Sequence, residues 1–297
     1  MENTLTMAAP RPSLAARLVA HPLMRMLAGT LLTFGPVPLT MILASKLVDK
    51  SYRVVWPQLL AAVFVWLGYR YYVRHIEKRG LTELTPAQAP RELGLGLLLG
   101  GAMVTAVFAL LAMLGVYRFD GVNDVSLILL LPLAELLLVG LAEEAVFRGI
   151  VFGVTERSLG SRAAIVISAA LFSLIHLPND GISLLSVAAL FAYGVLQAAL
   201  YIKTRRLWLC IGSHIAWNYC VGQVFSTTVS GHAATPGLLR GELSGAPWLS
   251  GGAFGVEGSL ITLLVISAAA LACLRLARHL SLGRQSSHQD CAGPMSR

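Results

Sequence analysis

Two adjacent glutamates, an arginine, two histidines and an asparagine sit inside stretches otherwise too apolar to hold them: Glu143, Glu144 and Arg148 in L-A-E-E-A-V-F-R-G, His176 in F-S-L-I-H, and His214 with Asn218 in H-I-A-W-N. An ionisable group at mid-bilayer costs about 2.5 to 3.5 kcal/mol on insertion scales, so its retention points to function. Glu144 and Arg148, four residues apart, share a helical face and can neutralise each other, which reads as architecture. Glu143, about 100° round the helix, lacks that partner and is left to face water as a base. His214 and Asn218 offer two donors from one face, and His176 follows Phe172 by one turn. A carboxylate to activate water, an acid for a leaving amine and donors for a tetrahedral oxyanion are what amide hydrolysis requires. Taken singly, each group has a blander reading: His176 as a satisfied core histidine, His214 and Asn218 as bonds between packed helices, Glu143 as a protonated core carboxyl. Neither G-x-S-x-G nor H-E-x-x-H occurs. Two histidines and a glutamate would still suffice to hold zinc with one open position, so a metal mechanism stands as the alternative.

The elements that must position these groups are membrane helices. Of the 297 residues, 56% are hydrophobic and 13% charged, and mean hydropathy is +0.71. Runs of about 20 apolar residues match the roughly 30 Å hydrocarbon core. Their continuity predicts helices, not alternating barrel strands, and excludes a soluble enzyme. The expected fold is an all-α polytopic bundle of about eight spans: 27–47, 54–73, 93–116, 125–152, 163–177, 182–202, 207–225 and 259–277. Pro132 and Gly140 predict tilt or a kink in the long fourth span, and Pro178 an end or bend to the short fifth.

The formal net charge of +8 orients these helices; it does not mark a nucleic-acid partner. Sixteen of the 23 Lys and Arg fall within 11–25, 74–91, 157–162, 203–206 and 275–297, whereas Lys46, Lys50, Arg53, Arg118 and Arg240 mark the other side. The positive-inside rule then places both termini in the cytoplasm. Cys210, Cys220, Cys273 and Cys291 show no C-x-x-C spacing and imply no disulfide framework. The absence of an internal repeat speaks against a proton-coupled carrier. One connection, Ser226 to Glu257, is long and rich in Gly, Ser and Pro; such loops are functional or disordered. In the functional version Gly255 to Ser259 plugs the far end of a chamber that opens toward the cytoplasm.

The ordered set E-E-x-x-x-R (Glu143, Glu144, Arg148), F-x-x-x-H (Phe172, His176) and H-x-x-x-N (His214, Asn218), on separate spans, resembles the CPBP intramembrane proteases. These include the type II CaaX prenyl endopeptidases and bacteriocin-processing or self-immunity proteins. The resemblance covers about 125–225; the earlier spans match only in kind. It implies a glutamate-type endopeptidase, often classed as a metalloprotease, in which Glu143 and His176 activate water while His214 and Asn218 form the oxyanion site. It favours no cofactor and no catalytic metal, with zinc on Glu143, His176 and His214 as the alternative. On this reading 1–26 is a cytoplasmic tail, 27–280 the helical protease domain and 281–297 a disordered tail. The partners are the lipid bilayer and a hydrophobic or lipidated peptide or protein. The Ala- and Leu-rich, basic composition points to a multi-pass protein of a bacterial inner membrane and to peptide over prenylated substrates. A non-proteolytic scaffold or bacteriocin self-immunity protein is the competing class, since a shared site does not fix function. The oligomeric state has no signature in the sequence.

Overall fold

The computed structural model describes residues 21–124 and 126–290, with side chains up to Leu276. Most of the expected N-terminal tail, Cys291 and the end of the expected C-terminal tail lie outside the described residues. Helices α1 (Pro22–Phe34) and α2 (Pro36–Leu47) run end to end through Gly35. Then come α3 (Trp56–Tyr71), continued by a π-helical turn at Tyr72–Ile76, and α4 (Ala89–Met113). A 3-10 turn at Leu127–Leu130 leads into α5 (Pro132–Glu144), a π-helical stretch Ala145–Phe152, and α6 (Gly153–Leu174). The last helices are α7 (Leu184–Thr204), α8 (Trp208–Tyr219) with a π-helical turn Cys220–Val224, the single turn α9 (Pro247–Ser250) and α10 (Leu260–Asp290).

Proline opens several of these helices, including α1, α2 and α5, because the first turn has no use for the N–H that proline lacks. Pro132 therefore starts α5 and does not kink it, contrary to expectation. The break falls later, at Gly160 inside α6, whose φ of 83° and ψ of 168° suit glycine alone. Pro178 lies in the turns that follow α6, as expected of a helix end. Ser183 caps α7 by accepting from the Ser186 N–H, and Arg205 closes it in the left-handed region.

Among the described residues, three segments are long and apolar enough to cross a membrane: Pro22–Leu47, Pro86–Met113 and Leu184–Thr204. Leu31, Leu98 and Leu264 project outward from the bundle, as lipid-facing residues do. One expectation needs correction. The fold is mostly helical but not all-α, because β1 (Tyr117–Val122) pairs antiparallel with β2 (Leu239–Leu243), with a bulge between Phe119 and Gly121. The pairing joins the α4–α5 connection to the long segment before α10, a contact between residues over a hundred positions apart that local pattern does not announce. Helix α10 runs to Asp290.

Helices α4 and α8 cross closely, and glycine makes the crossing. A Cβ on Gly96 would lie 2.4 Å from the Leu209 carbonyl oxygen, one on Gly100 2.4 Å from that of Ser213, and one on Gly212 2.5 Å from that of Leu93. Without a hydrophobic drive between helices in lipid, small residues that let backbones touch provide much of the association. This contact holds α8, which carries His214 and Asn218. Gly100→Val is expected to push α8 away at a cost of about 1 to 3 kcal/mol. Thermal melting of the detergent-purified protein checks this: the midpoint falls for Gly100→Val and stays put for Gly94→Ala, where the new methyl group meets open space.

Candidate active site

Helices α5, α6, α7 and α8 meet around a cavity of about 510 Å³. Glu143, Phe172, His176, His214 and Asn218 all line it. Each motif side chain arrives by a different route. The EE pair ends α5, where the backbone passes into the fully buried π-helical stretch that carries Arg148. His176 lies just beyond the last residue of α6, in turns held by its N–H on the Ser173 carbonyl and by the Asn179 N–H on its own carbonyl. Its imidazole Nδ1 donates to the Phe172 carbonyl at 2.8 Å. Because a carbonyl can only accept, the neutral ring keeps its proton on Nδ1 and leaves Nε2 as a base. The F-x-x-x-H spacing thus sets a tautomer as well as a position.

The two glutamates differ sharply in surroundings. Glu144 has no exposed surface. One of its oxygens, Oε1, accepts from Arg148 Nη1 at 3.1 Å, His214 Nδ1 at 2.9 Å and Gln197 Nε2 at 3.4 Å. Arg148, also without exposed surface, donates its Nη2 to the Gly194 carbonyl at 3.3 Å and lies 4.8 Å from the centre of the Phe172 ring. The spacing of Glu144 and Arg148 announced their contact; the bond from His214 to the same carboxylate had no such signal. Glu143 is 18% exposed at its side chain, with Oε2 3.9 Å from His214 Nε2. Among the described residues that oxygen has no hydrogen-bond partner. The 3.9 Å separation exceeds a hydrogen bond, so the two groups face each other across a gap without bonding directly.

Several contributors escaped sequence reasoning. Tyr193 on α7 lines the cavity, its ring 5.7 Å from those of both His214 and Trp217, and its hydroxyl accepts from Gln197 Nε2 at 2.9 Å. Its position in an apolar helix carried no motif. Glu257 was noticed only as part of the long connection, yet it lines the cavity while 6% exposed. Its Oε1 accepts from the Trp217 indole N–H at 2.8 Å, and its Oε2 from the Ser230 hydroxyl at 2.8 Å and the Ser230 backbone N–H. The Asn179 amide in turn donates to the Ser230 carbonyl at 2.8 Å. Glu257 therefore ties the helix of His214 and Asn218 to the turn that holds His176.

The zinc alternative requires Glu143, His176 and His214 to converge on one ion. Among the described residues, no group of three or more His, Cys, Asp or Glu side chains is arranged to hold a metal. His214 Nδ1 is engaged by Glu144 and His176 Nδ1 by a carbonyl, bonds that leave each Nε2 open and do not bar a ligand role, so what counts against zinc is the lack of convergence among the described residues. The chemistry is therefore derived from the chain's own groups.

A family model described as Type II CAAX prenyl endopeptidase Rce1-like matches residues 125–220, which take in all three motifs. The match bears out the CPBP resemblance drawn from those motifs, and with the apolar helices it marks an integral membrane protein. No curated protein matches the chain.

Two substitutions separate architecture from chemistry. Arg148→Ala strands the Glu144 carboxylate in the interior, at a cost of about 3 to 5 kcal/mol. Its melting midpoint and yield should fall, while those of Glu143→Gln, which keeps shape in a partly open cavity, should not. Glu257→Ala leaves the Trp217 and Ser230 donors unpaired, at about 1 to 3 kcal/mol for each buried group. Melting curves should show Glu257→Ala clearly destabilised and Glu257→Gln, which retains an accepting oxygen, close to wild type.

Proposed function

We propose that this protein is an intramembrane endopeptidase that hydrolyses internal peptide bonds of a membrane-associated or lipidated peptide or protein. At family level the match supports a CAAX-type intramembrane protease. The observation that carries the finer reading is the convergence of Glu143, His176, His214 and Asn218 on one cavity, with the Glu143 carboxylate unpartnered at its wall. The eight-span count, the cytoplasmic termini and the bacterial inner membrane belong to this proposal, as does the preference for peptide over prenylated substrates.

Chemistry follows from the hydrogen-bond pattern. Glu143, assisted by His176 Nε2, takes a proton from a water in the cavity as that water attacks the carbonyl carbon of the scissile bond. The carbonyl π electrons move onto oxygen, and Asn218 Nδ2 donates to the oxyanion. Donation from His214 Nε2 requires the doubly protonated ring, whose charge the Glu144 carboxylate faces across 2.9 Å. Collapse of the intermediate breaks the C–N bond, and the proton held by the Glu143–His176 pair passes to the departing nitrogen. The products are a new carboxylate and a new amine, with one water consumed.

Cleavage of fluorogenic hydrophobic peptides by the detergent-purified protein tests the reading. Glu143→Gln and His176→Ala should each lower turnover at least about 10²-fold with unchanged melting. Wild-type rates in these variants would refute the assignment. Chelator-washed protein should keep its activity without stoichiometric zinc, and activity that returns only with added zinc would restore the metal alternative.

A further inference from the structure

The cavity has a closed end and an open one. Below Glu143, Ala145–Phe152 is buried along its whole length. Arg148 and Gln197 have no exposed surface, and the Phe152 ring meets that of Tyr201 at 5.4 Å beneath them. Beyond this plug, ion pairs tie the connecting segments together. Glu77 meets Arg25, Arg79 and Arg157; Glu83 meets Arg79; Glu156 meets Arg205; Glu92 meets Arg206. Among the described residues, these side chains fill the space beneath the site at this end.

The lining runs the other way on three helices at once. On α5 it passes from Glu143 back to Pro132, eleven residues or about 16 Å at the helical rise. On α8 and its π-helical extension it passes from His214 forward to Gln223, nine residues or about 13 Å. From α6 it passes from Phe172 through His176 to Asn179, and it ends among Ser230 and Ala234 in the segment before β2. The expectation of a chamber open toward the basic loops is thus overturned. Those loops cap the closed end, because the ion pairs that the basic residues make seal it.

The charge asymmetry assigns the two ends to sides. The described segments at the closed end hold Arg25, Arg74, Lys78, Arg79, Arg91, Arg157, Arg162, Lys203, Arg205, Arg206 and Arg275, against Lys46, Lys50, Arg53, Arg118 and Arg240 at the open end. Lys and Arg in short loops stay in the cytoplasm during insertion. Among the described residues no Lys or Arg lines the cavity, whose carboxylates are Glu135, Glu143 and Glu257. A chain ending in a carboxylate within the cavity would find no Lys or Arg there to receive it.

We infer that the site is loaded from the non-cytoplasmic face, by an internal stretch of peptide exposed on that side and without a free carboxylate near the scissile bond. The inference rests on the proteolytic reading for its chemistry but not for its geometry. Single cysteines in a background with Cys210, Cys220, Cys273 and Cys291 replaced by alanine test the geometry: Ala234→Cys at the cavity lip and Lys203→Cys at the closed end. In intact spheroplasts a membrane-impermeant maleimide should label Ala234→Cys at once and Lys203→Cys only after permeabilisation. The opposite pattern overturns the inference. If the cysteine-free chain is not produced, the same two substitutions read as labelling above wild type give the same decision. A fluorogenic peptide with its carboxyl end amidated, added outside right-side-out vesicles, should be cleaved, and added outside inverted vesicles should not. Cleavage confined to inverted vesicles overturns the inference. Loss of cleavage in detergent as well would refute the protease, leaving the maleimide result to decide the loading side.

Discussion

A carboxylate with no exposed surface, Glu144, is held where three elements donate to a single oxygen. Arg148 comes from the π-helical stretch after α5, Gln197 from α7 and His214 from α8. In a low-dielectric interior an unpaired charge of this kind would be expelled or neutralised, so the interaction constrains every helix that supplies a donor. Gln197 is further committed to the Tyr193 hydroxyl and to the Cys210 carbonyl at 3.2 Å, and Arg148 to the Gly194 carbonyl. α5, α7 and α8 are thereby fixed around one point.

From that point the division of labour between neighbouring glutamates follows. The backbone turns by about 100° between Glu143 and Glu144, which is enough to send one side chain into the polar knot and the other to the cavity wall. His214 stands between them, with Nδ1 on Glu144 and Nε2 3.9 Å from Glu143. Glu144 thereby orients the imidazole that Glu143 faces, as an acidic partner orients a histidine in other hydrolytic sites. The architectural ion pair and the proposed base are joined through one ring.

Much of the site was legible because its members sit at helical spacing inside apolar runs, where any polar side chain is conspicuous. The i to i+4 pairs Glu144–Arg148 and Phe172–His176 appear in the structure as direct contacts. What spacing does not encode is contact between distant segments. Tyr193 and Gln197 look like ordinary members of an apolar helix until α7 packs beside α8. Glu257 lies forty residues after Trp217, in a segment whose glycines suggested disorder as readily as function. The strand pair β1–β2 was missed for the same reason, its two halves being short and separated by four helices. The direction of the cavity was misjudged because depth was counted along single helices, whereas closure depends on which side chains of neighbouring helices fill the space below.

The placement of the open end has a physical logic of its own. Arginine and glutamate pairs at the closed end hold the connections between helices while the buried Arg148 region excludes water beneath the knot. Were the cavity open there too, water would reach Glu144 and the donors on it, and its bond to His214 would compete with hydration. The opposite end carries the long glycine-rich segment, and loops with such freedom can vary in sequence without disturbing a core. Gly255 packs where a Cβ would lie 2.3 Å from the Thr228 carbonyl oxygen, so the stretch before α10 is pressed onto the cavity lip and not left free. That contact brings Glu257 under Trp217, next to Asn218. The segment that forms the mouth therefore also braces the helix that would bind the oxyanion, so contacts made by a substrate at the lip reach the helix that carries Asn218.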